Sequence, residues 1–347
     1  MTPAELSRTV RHAVCRAVED GVLRAPVPES VSVERPRPGG SGDYATNVAL
    51  RLAGPAGRPP RAVAEMLRSR IAEAPGIAGI EITGPGFLNI TLDSRAQQEL
   101  VREVLERGCK YGWTELTGAV AQPSCRADVR AAVTADALRR ILLSQGTLSR
   151  IYCEATVDPA WADLGVRIGA EGARPFLRTD VMPVPAEDDA ATLLRRLGVD
   201  AARWGLLAAA PHDRPRTGDE LLVQHVSNPL FRVRYAYSRT RALTRNAEQL
   251  GFDSAPQAHV DAPALTTAIG DHPAVLASAA RLRAPDRLVR HLESTADALL
   301  GFQHTVLPVG DEKPSAAHRS RLALAEAAGT VLAGGLSLLG ISAPEYL

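Results

Sequence analysis

The spacing of apolar residues gives the N-terminal part of the chain a mixed pattern. Apolar positions recur every three or four residues in several segments, which is typical of amphipathic helices. Helices are predicted over 6–23, up to Leu52, over 59–74 and over 94–107. Short alternating stretches at 31–36 and on either side of Gly84-Pro85-Gly86 predict strands, the last two joined by a tight turn. Residues 1–108 are therefore predicted to form a small α+β domain.

The pattern changes twice further along. Residues 109–188 begin with a strand, a helix that stops at Gly146 and a second strand, which together predict one β-α-β unit. The stretch 159–185 contains several glycines and prolines and has no clear period. From residue 189 to 347 almost every segment has helical spacing, which predicts an all-α bundle. The predicted fold class is a multidomain α+β protein.

Composition narrows the class of protein. The 347 residues are 45% hydrophobic, yet no uninterrupted apolar run reaches the length of a membrane span, and the N-terminus lacks an apolar signal-peptide region. No CxxC pair occurs, so neither a disulfide framework nor a zinc site is expected. We predict a cytoplasmic protein without metal or cofactor. The four cysteines are Cys15, Cys109, Cys125 and Cys153.

The charge is nearly balanced but unusual in kind. The formal net charge is +1, and all but two of the 40 basic residues are arginine, the exceptions being Lys110 and Lys313. Arginine presents a planar fork to phosphates and stacks on bases. A nearly neutral chain can still carry a basic face toward nucleic acid if its acidic residues lie elsewhere.

Three separated blocks resemble arginyl-tRNA synthetases. The first is SGDYATNVALRLAG with the later GPGFLN, similar to the family's N-terminal additional domain. The second runs from LGVDAARWGLLAAA to SNPLFRVRYAYSRTRALTRNAE, and the third is the tail HRSRLALAEAAGTVLAGGLSLLGISAPEYL. Both are similar to the DALR-type anticodon-binding domain. The resemblance implies tRNA as the partner, most simply an arginine acceptor, and three domains: 1–108, 109–188 and 189–347.

The resemblance also implies contacts at the elbow of the tRNA. The GDYATN helix and the GPGF-N hairpin would meet the outer D-loop, chiefly through Asn47, Phe87 and Asn89. An unpaired base can stack on an aromatic ring, and an amide offers it both a donor and an acceptor. Phe87 could instead fill the core of the domain.

The anticodon site is implied in the bundle. Tyr235 and Arg239 match an aromatic and an arginine that contact the anticodon loop in the family, and their i, i+4 spacing puts them on one helix face. The alternative is a buried tyrosine beside a solvated arginine. Tyr346 and Leu347 would join this site, although the family usually ends in methionine. The alternative for them is a tail packed on its own bundle.

The resemblance weakens where the family performs its chemistry. The first nucleotide-binding signature falls on Cys125, Arg126, Ala127 and Asp128. Its two histidines are absent, and the Asp128 carboxylate would repel a triphosphate at a helix N-terminus. The second signature falls on RPFLRTDVMPVPAEDD, which keeps Arg174 and Arg178 but has no lysine. We therefore predict no catalytic residue and interpret 109–188 as a remnant Rossmann-like linker of a class I catalytic domain.

Three functions follow from this interpretation. The first is a tRNA-binding, catalytically inactive protein that acts as an adaptor or regulator, either alone or with a catalytic protein partner. The second is an arginine–tRNA ligase whose active site is completed by another chain. The third is a structural or interaction module that has lost RNA binding.

Overall fold

The computed structural model describes residues 3–34, 36, 41–172, 178–258 and 260–347. These residues form two compact units. The first comprises Met1–Glu103 and Pro256–Asp271, and the second comprises Val104–Ala255 and His272–Leu347. The division into domains at residues 108 and 188 stays a prediction.

The first unit packs helices against a three-stranded antiparallel sheet. Its helices are α1 (Pro3–Glu19), α2 (Val48–Ala56), α3 (Pro60–Ala72) and α4 (Ser94–Arg107). Its strands are β1 (Tyr44–Thr46), β2 (Ile77–Thr83) and β3 (Phe87–Leu92), in the order β1-β3-β2. The predicted strand at 31–36 is reduced to a single bridge between Glu34 and Ala45.

The core of this unit follows the sequence pattern closely. Leu6, Val10 and Val14 of α1 are fully buried, together with Leu67 of α3 and Ile90 of β3. Their four-residue spacing on α1 turns one stripe of the helix inward. The predicted tight turn joins β2 to β3, with Thr83 paired to Phe87.

The second unit begins with a parallel sheet. Its strands are β4 (Val120–Cys125), β5 (Leu148–Ser149), β6 (Tyr152–Cys153), β7 (Ala170–Glu171) and β8 (Arg178–Val181). Helix α5 (Val129–Ser144) follows β4, and the short α6 (Ala160–Asp163) precedes β7. Strands β5 and β6 pair one after the other with the same side of β4. The sequence separation between paired residues is the same for both strands. Strand β8 pairs with the same β4 residues as β6 and therefore lies on the other side.

The predicted β-α-β unit is present as β4, α5 and β5/β6, but the sheet extends beyond it. The stretch 159–185 supplies α6, β7 and β8, so the sheet is four strand positions wide in the order β7, β5/β6, β4, β8. Strands of two to four residues are too short for an alternating pattern to stand out among glycines and prolines. Residues 173–177, which include Arg174, lie outside the described residues.

The rest of the second unit is a helical bundle, as predicted. Its helices are α7 (Ala190–Ala208), α8 (Pro229–Gln249), α10 (Asp286–Phe302) and α11 (Ala316–Leu339), with the part of α9 (Pro263–Leu282) that follows Asp271. In α11, Gly329 and Gly335 face Thr240 of α8 and Leu292 of α10 so closely that a Cβ would overlap them. These glycines let the two helices approach α11.

Helix α11 is the core of the bundle. Within the described part of the chain it is the one helix long and apolar enough to cross a membrane, but 78% of its most apolar window is buried inside the protein. Leu324 and Leu332 are fully buried. Such burial is what a core helix of a bundle requires.

Candidate nucleic-acid interface and the carboxyl edge of the parallel sheet

The carboxyl end of β4 carries the degenerate signature. Cys125 is fully buried and lies beside Cys153 of β6 in the parallel register, and its Sγ donates to the carbonyl of Tyr152 at 3.5 Å. Burial, with a smaller contribution from Cys153, raises the pKa of the Cys125 thiol to about 12. A neutral, buried thiol is neither a nucleophile nor a metal ligand.

Asp128 is committed to helix capping. Its Oδ1 accepts the backbone N–H of Ala131 at 2.9 Å in the first turn of α5. Its Oδ2 accepts the backbone N–H of Ala186 at 3.3 Å, from the segment that follows β8. A helix N-terminus attracts anions through free N–H groups and the helix dipole. Here a carboxylate of the chain itself occupies that position. Arg126 and Ala127 are exposed beside it.

The strand order makes this edge the expected ligand position of an open parallel sheet. Strand β4 has β6 on one side and β8 on the other, so the chain reverses direction across the sheet at β4. Ligands of such sheets bind outside the carboxyl ends of the strands at that switch point. Of the second predicted signature, the backbone of Arg178 begins β8 opposite Gln122, and the carboxyl end of β8 is at Val181, opposite Cys125.

The chain fills this position itself. Arg130, in the first turn of α5, is 1% exposed and donates to five backbone carbonyls. The acceptors and distances are Asp213 (2.6 Å), Val184 (2.8 Å), Ala209 (2.9 Å), Ala210 (3.0 Å) and Leu206 (3.0 Å). Three of these carbonyls belong to the end of α7 or its exit, where the helix dipole favours a cation. Burial lowers the pKa of the Arg130 guanidinium.

Little space is left beside this arginine. The cavity lined by Arg130, Thr134 and Pro183 has a volume of about 10 Å³, which is close to the minimum that one water needs. Sequence reasoning missed Arg130, because an arginine on a helix is normally assigned to the surface. Among the described residues, the space beside Arg130 therefore offers room for neither a nucleotide nor an amino acid.

The predicted anticodon residues lie on α8. Tyr235 is half-buried and stacks on Phe231, with ring centroids 5.7 Å apart and an angle of 9°. Arg239, one turn later, is also half-buried, and its Nε donates to the side chain of Gln303 at 2.9 Å. The core side of α8 is formed by other residues, among them Val233 and Ala236. Tyr235 and Arg239 thus lie on the flank of the helix.

The C-terminal tail runs along the neighbouring face of α8. Ser238 donates to the Glu345 carbonyl at 3.1 Å, and Arg241 pairs with the Glu345 carboxylate at 3.2 Å. The guanidinium of Arg245 lies 4.3 Å from the ring centroid of Tyr346, a cation–π distance. Tyr346 is nevertheless 71% exposed.

The terminal residue, Leu347, is also solvent-exposed, at 57%. Tyr235 and Arg245 are ten residues apart on α8, or roughly 15 Å along the axis at 1.5 Å per residue. The four predicted anticodon residues therefore share the surface of one helix and the tail attached to it.

The three residues predicted at the tRNA elbow separate into two groups. Asn47 precedes α2, is exposed and makes no capping bond, and Phe87 is 39% exposed at the start of β3. The register ends with Thr46 opposite Leu88, so Asn47 and Phe87 lie at the same end of the sheet. Asn89 is only 4% exposed, and its amide donates to Thr83 at 2.9 Å. Asn47 and Phe87 can reach a ligand, whereas Asn89 supports the hairpin.

Comparison with known proteins defines the class first. The model of the arginyl tRNA synthetase N terminal domain matches residues 4–92, and the model of the DALR anticodon binding domain matches residues 233–347. The chain is thus of the aminoacyl-tRNA synthetase class, with an anticodon-binding domain at its end.

Whole-chain comparisons give the family. The chain is 27% identical to an arginine–tRNA ligase of Renibacterium salmoninarum and 28% identical to one of Frankia alni, with all of each chain covered. In structure it resembles the arginyl-tRNA synthetase of Thermus thermophilus, with a TM-score of 0.76 at 14% identity and complete coverage of both chains. The Plasmodium falciparum arginyl-tRNA synthetase gives 0.71 at 10% identity, with 99% of each chain covered. The chain belongs to the arginyl-tRNA synthetase family.

Length is where the chain differs from these relatives. The two alignments extend over 550 and 552 positions, to which this chain contributes 347 residues. The two matched domain models lie near the ends of the chain.

Proposed function

We propose that this protein binds tRNA and does not activate arginine on its own. The observation that carries the proposal is the filled carboxyl edge of the parallel sheet, where Asp128 and Arg130 hold the segment after β8 against the start of α5. A synthetase needs this edge for ATP and the amino acid. In this proposal residues 109–188 are a reduced catalytic domain that serves as a spacer.

The chemistry of the edge supports the same conclusion. Adenylate formation needs donors that stabilise negative charge on the α-phosphate. Cys125 is a neutral buried thiol, and Asp128 presents a carboxylate to the helix N-terminus. Ala127 has no functional group. No step of the reaction can be assigned to these residues.

tRNA binding is supported by the surfaces at the two ends of the chain. Tyr235, Arg239 and the exposed tail supply aromatic and guanidinium groups of the kind that bind unpaired bases and phosphates. Asn47 and Phe87 supply a second exposed pair in the first unit. The partner we propose is an arginine-acceptor tRNA, bound in the cytoplasm, with the protein acting as an adaptor or regulator.

A second function is favoured by the relatives. The arginine–tRNA ligases above align along all of this chain, which is what a ligase completed by another protein chain would give. A third candidate is a structural or interaction module without RNA.

Two measurements on the full-length protein, purified alone and together with any chain that copurifies with it, separate the three functions. Filter binding of arginine-acceptor tRNA across a salt series tests for RNA, and the expected result is specific binding whose affinity falls steeply with salt. Arginine-dependent ATP–pyrophosphate exchange tests for activation, and the expected result is none. Absence of tRNA binding would leave the interaction module, while exchange by the protein would establish the ligase.

A further inference from the structure

A cleft of about 610 Å³ lies in the second unit between α5, α6 and the strands β5 to β7. Of the described residues that line its walls, four are arginines and none is an aspartate or glutamate. The arginines are Arg139, Arg140, Arg150 and Arg167. Arg150 lies two residues before β6 and Gly169 lies directly before β7, so the cleft lies toward the amino ends of these strands. It is therefore separate from the filled carboxyl edge at Cys125 and Asp128.

The positive charge of the cleft is poorly compensated. Asp136 is fully buried behind it, and Arg139 and Arg140 each pair with this carboxylate at 3.0 Å. The same carboxylate also pairs with the fully buried Arg203 at 2.8 Å. One aspartate carboxylate thus pairs with three guanidinium groups. Burial acts to raise the pKa of Asp136, but the neighbouring arginines outweigh burial and lower it. Arg150 and Arg167 add two further guanidinium groups to the wall of the cleft.

The outer arginines are held where a ligand can reach them. Arg150 is exposed, and its Nε donates to the Gly169 carbonyl at 3.0 Å. A Cβ at position 169 would overlap the Arg150 side chain, so glycine is what allows the arginine to lie across this backbone. Arg167 is exposed and makes no hydrogen bond or ion pair with any described residue. The Nε of Arg139 is buried without a described hydrogen-bond partner.

We propose that this cleft binds the phosphodiester backbone of RNA, as a tRNA contact separate from the two ends of the chain. Several arginine forks on an open, polar surface fit successive phosphates. Among the residues that the structure describes, the lining contains no aromatic ring on which a nucleobase could stack, which argues against a mononucleotide site. This inference rests on the proposed tRNA binding and adds a sequence-independent contact to it.

The test removes the two arginines that have no carboxylate partner. Arg150→Gln combined with Arg167→Gln, in the full-length protein, leaves the Asp136 cluster intact. We expect tRNA affinity at low salt to fall on the order of tenfold. Each lost phosphate contact also reduces the slope of log K against log salt by about 0.7–0.9, so the double variant should lose about 1.4–1.8.

Two controls make the result specific. Arg281→Gln with Arg287→Gln removes the same charge from exposed positions outside the cleft and should change neither affinity nor slope by a comparable amount. Arg150→Lys with Arg167→Lys keeps the charge and should retain most of the slope. If wild-type protein binds tRNA and the cleft variant binds it with the same affinity and slope, the inference is wrong. Wild-type protein that fails to bind tRNA overturns the proposed function and this inference together.

Discussion

The carboxyl edge of the parallel sheet and the outer face of α8 differ in what covers them. At the sheet edge, the buried Arg130 and the cap Asp128 bind backbone groups of the same chain, and about 10 Å³ remains beside Arg130. On α8, Tyr235 and Arg239 lie on the flank of the helix, and the attached tail leaves Tyr346 largely exposed. The polar groups of the first region stabilise the fold, whereas those of the second are accessible to a partner. Under the proposed function, the difference means that a binding surface is kept while the position of the reactive site is packed by the chain itself.

The largest effect on stability should come from a substitution at the carboxyl edge of the parallel sheet. Arg130→Met leaves buried carbonyls without donors, and we expect the free energy of unfolding to fall by about 3–5 kcal/mol. Urea unfolding of the full-length protein measures this. Arg126→Ala, an exposed arginine of the same segment, is the control and should change stability by less than about 0.5 kcal/mol. Equal, small effects of both substitutions would mean that Arg130 does not hold this edge together.

A second effect concerns two buried histidines elsewhere in the same unit. Burial, with a smaller repulsion from His291, lowers the pKa of His272 well below its ordinary value, and burial lowers the pKa of His291 to about 4. Their rings stack, with centroids 5.3 Å apart. The unfolded chain therefore binds protons more readily than the folded protein between about pH 6.5 and 4. Stability should be complete above pH 6.5 and fall as the pH drops toward 4.

The variant His291→Leu isolates this contribution. It should show a shallower loss of unfolding free energy between pH 7 and 5 than the wild-type protein. His304→Gln, at an exposed histidine, should keep the wild-type dependence. A pH dependence that is the same in all three proteins would show that His291 does not become charged on unfolding.

Substitutions on the outer face of α8 should change the affinity for tRNA more than the stability of the protein. Tyr235→Ala and Arg239→Ala should each weaken tRNA binding, the tyrosine by about 1–3 kcal/mol if a base stacks on it. Both side chains are only half-buried, so thermal stability should change little. Filter binding and thermal unfolding of the same preparations compare the two effects. Loss of folding in Tyr235→Ala, with unchanged affinity in Arg239→Ala, would assign this face to the bundle core.

The smallest effect should come from the end of the chain. Removing Tyr346 and Leu347 deletes two exposed apolar side chains and the ring beside Arg245. The attachment of the tail through Glu345 remains. We expect a severalfold loss of tRNA affinity without a change in the urea midpoint. An affinity that is unaffected by the deletion would remove the tail from the interface.

The elements predicted correctly from sequence are those long enough for their apolar residues to repeat at a recognisable spacing. Leu6, Val10 and Val14 reveal the buried stripe of α1, and the same spacing reveals the long bundle helices. Strands β7 and β8 escaped prediction because two to four residues cannot display a period. Their position in the sheet depends on pairing with β4 or β6, which are distant in sequence.

The site was predicted unevenly for a related reason. Tyr235 and Tyr346 are aromatic residues at recognisable positions, and the structure leaves them accessible. Asn89 and Arg130 are polar residues, for which exposure is the normal expectation. Both are buried because partners distant in sequence satisfy them: Ser41 contacts Asn89, and the end of α7 binds Arg130. Sequence alone identifies such residues as polar but does not identify their partners.

The central claim is that the sheet edge no longer supports chemistry, and arginine-dependent ATP–pyrophosphate exchange tests it most directly. Removal of one positioned donor commonly costs about 10²–10³ in rate, and here the edge that would hold the substrates is occupied by the chain itself. We predict no exchange above background by the purified full-length protein, in the same preparation that binds tRNA. Exchange that requires both arginine and ATP, and that Asp128→Ala abolishes, would contradict the account and identify the protein as a ligase.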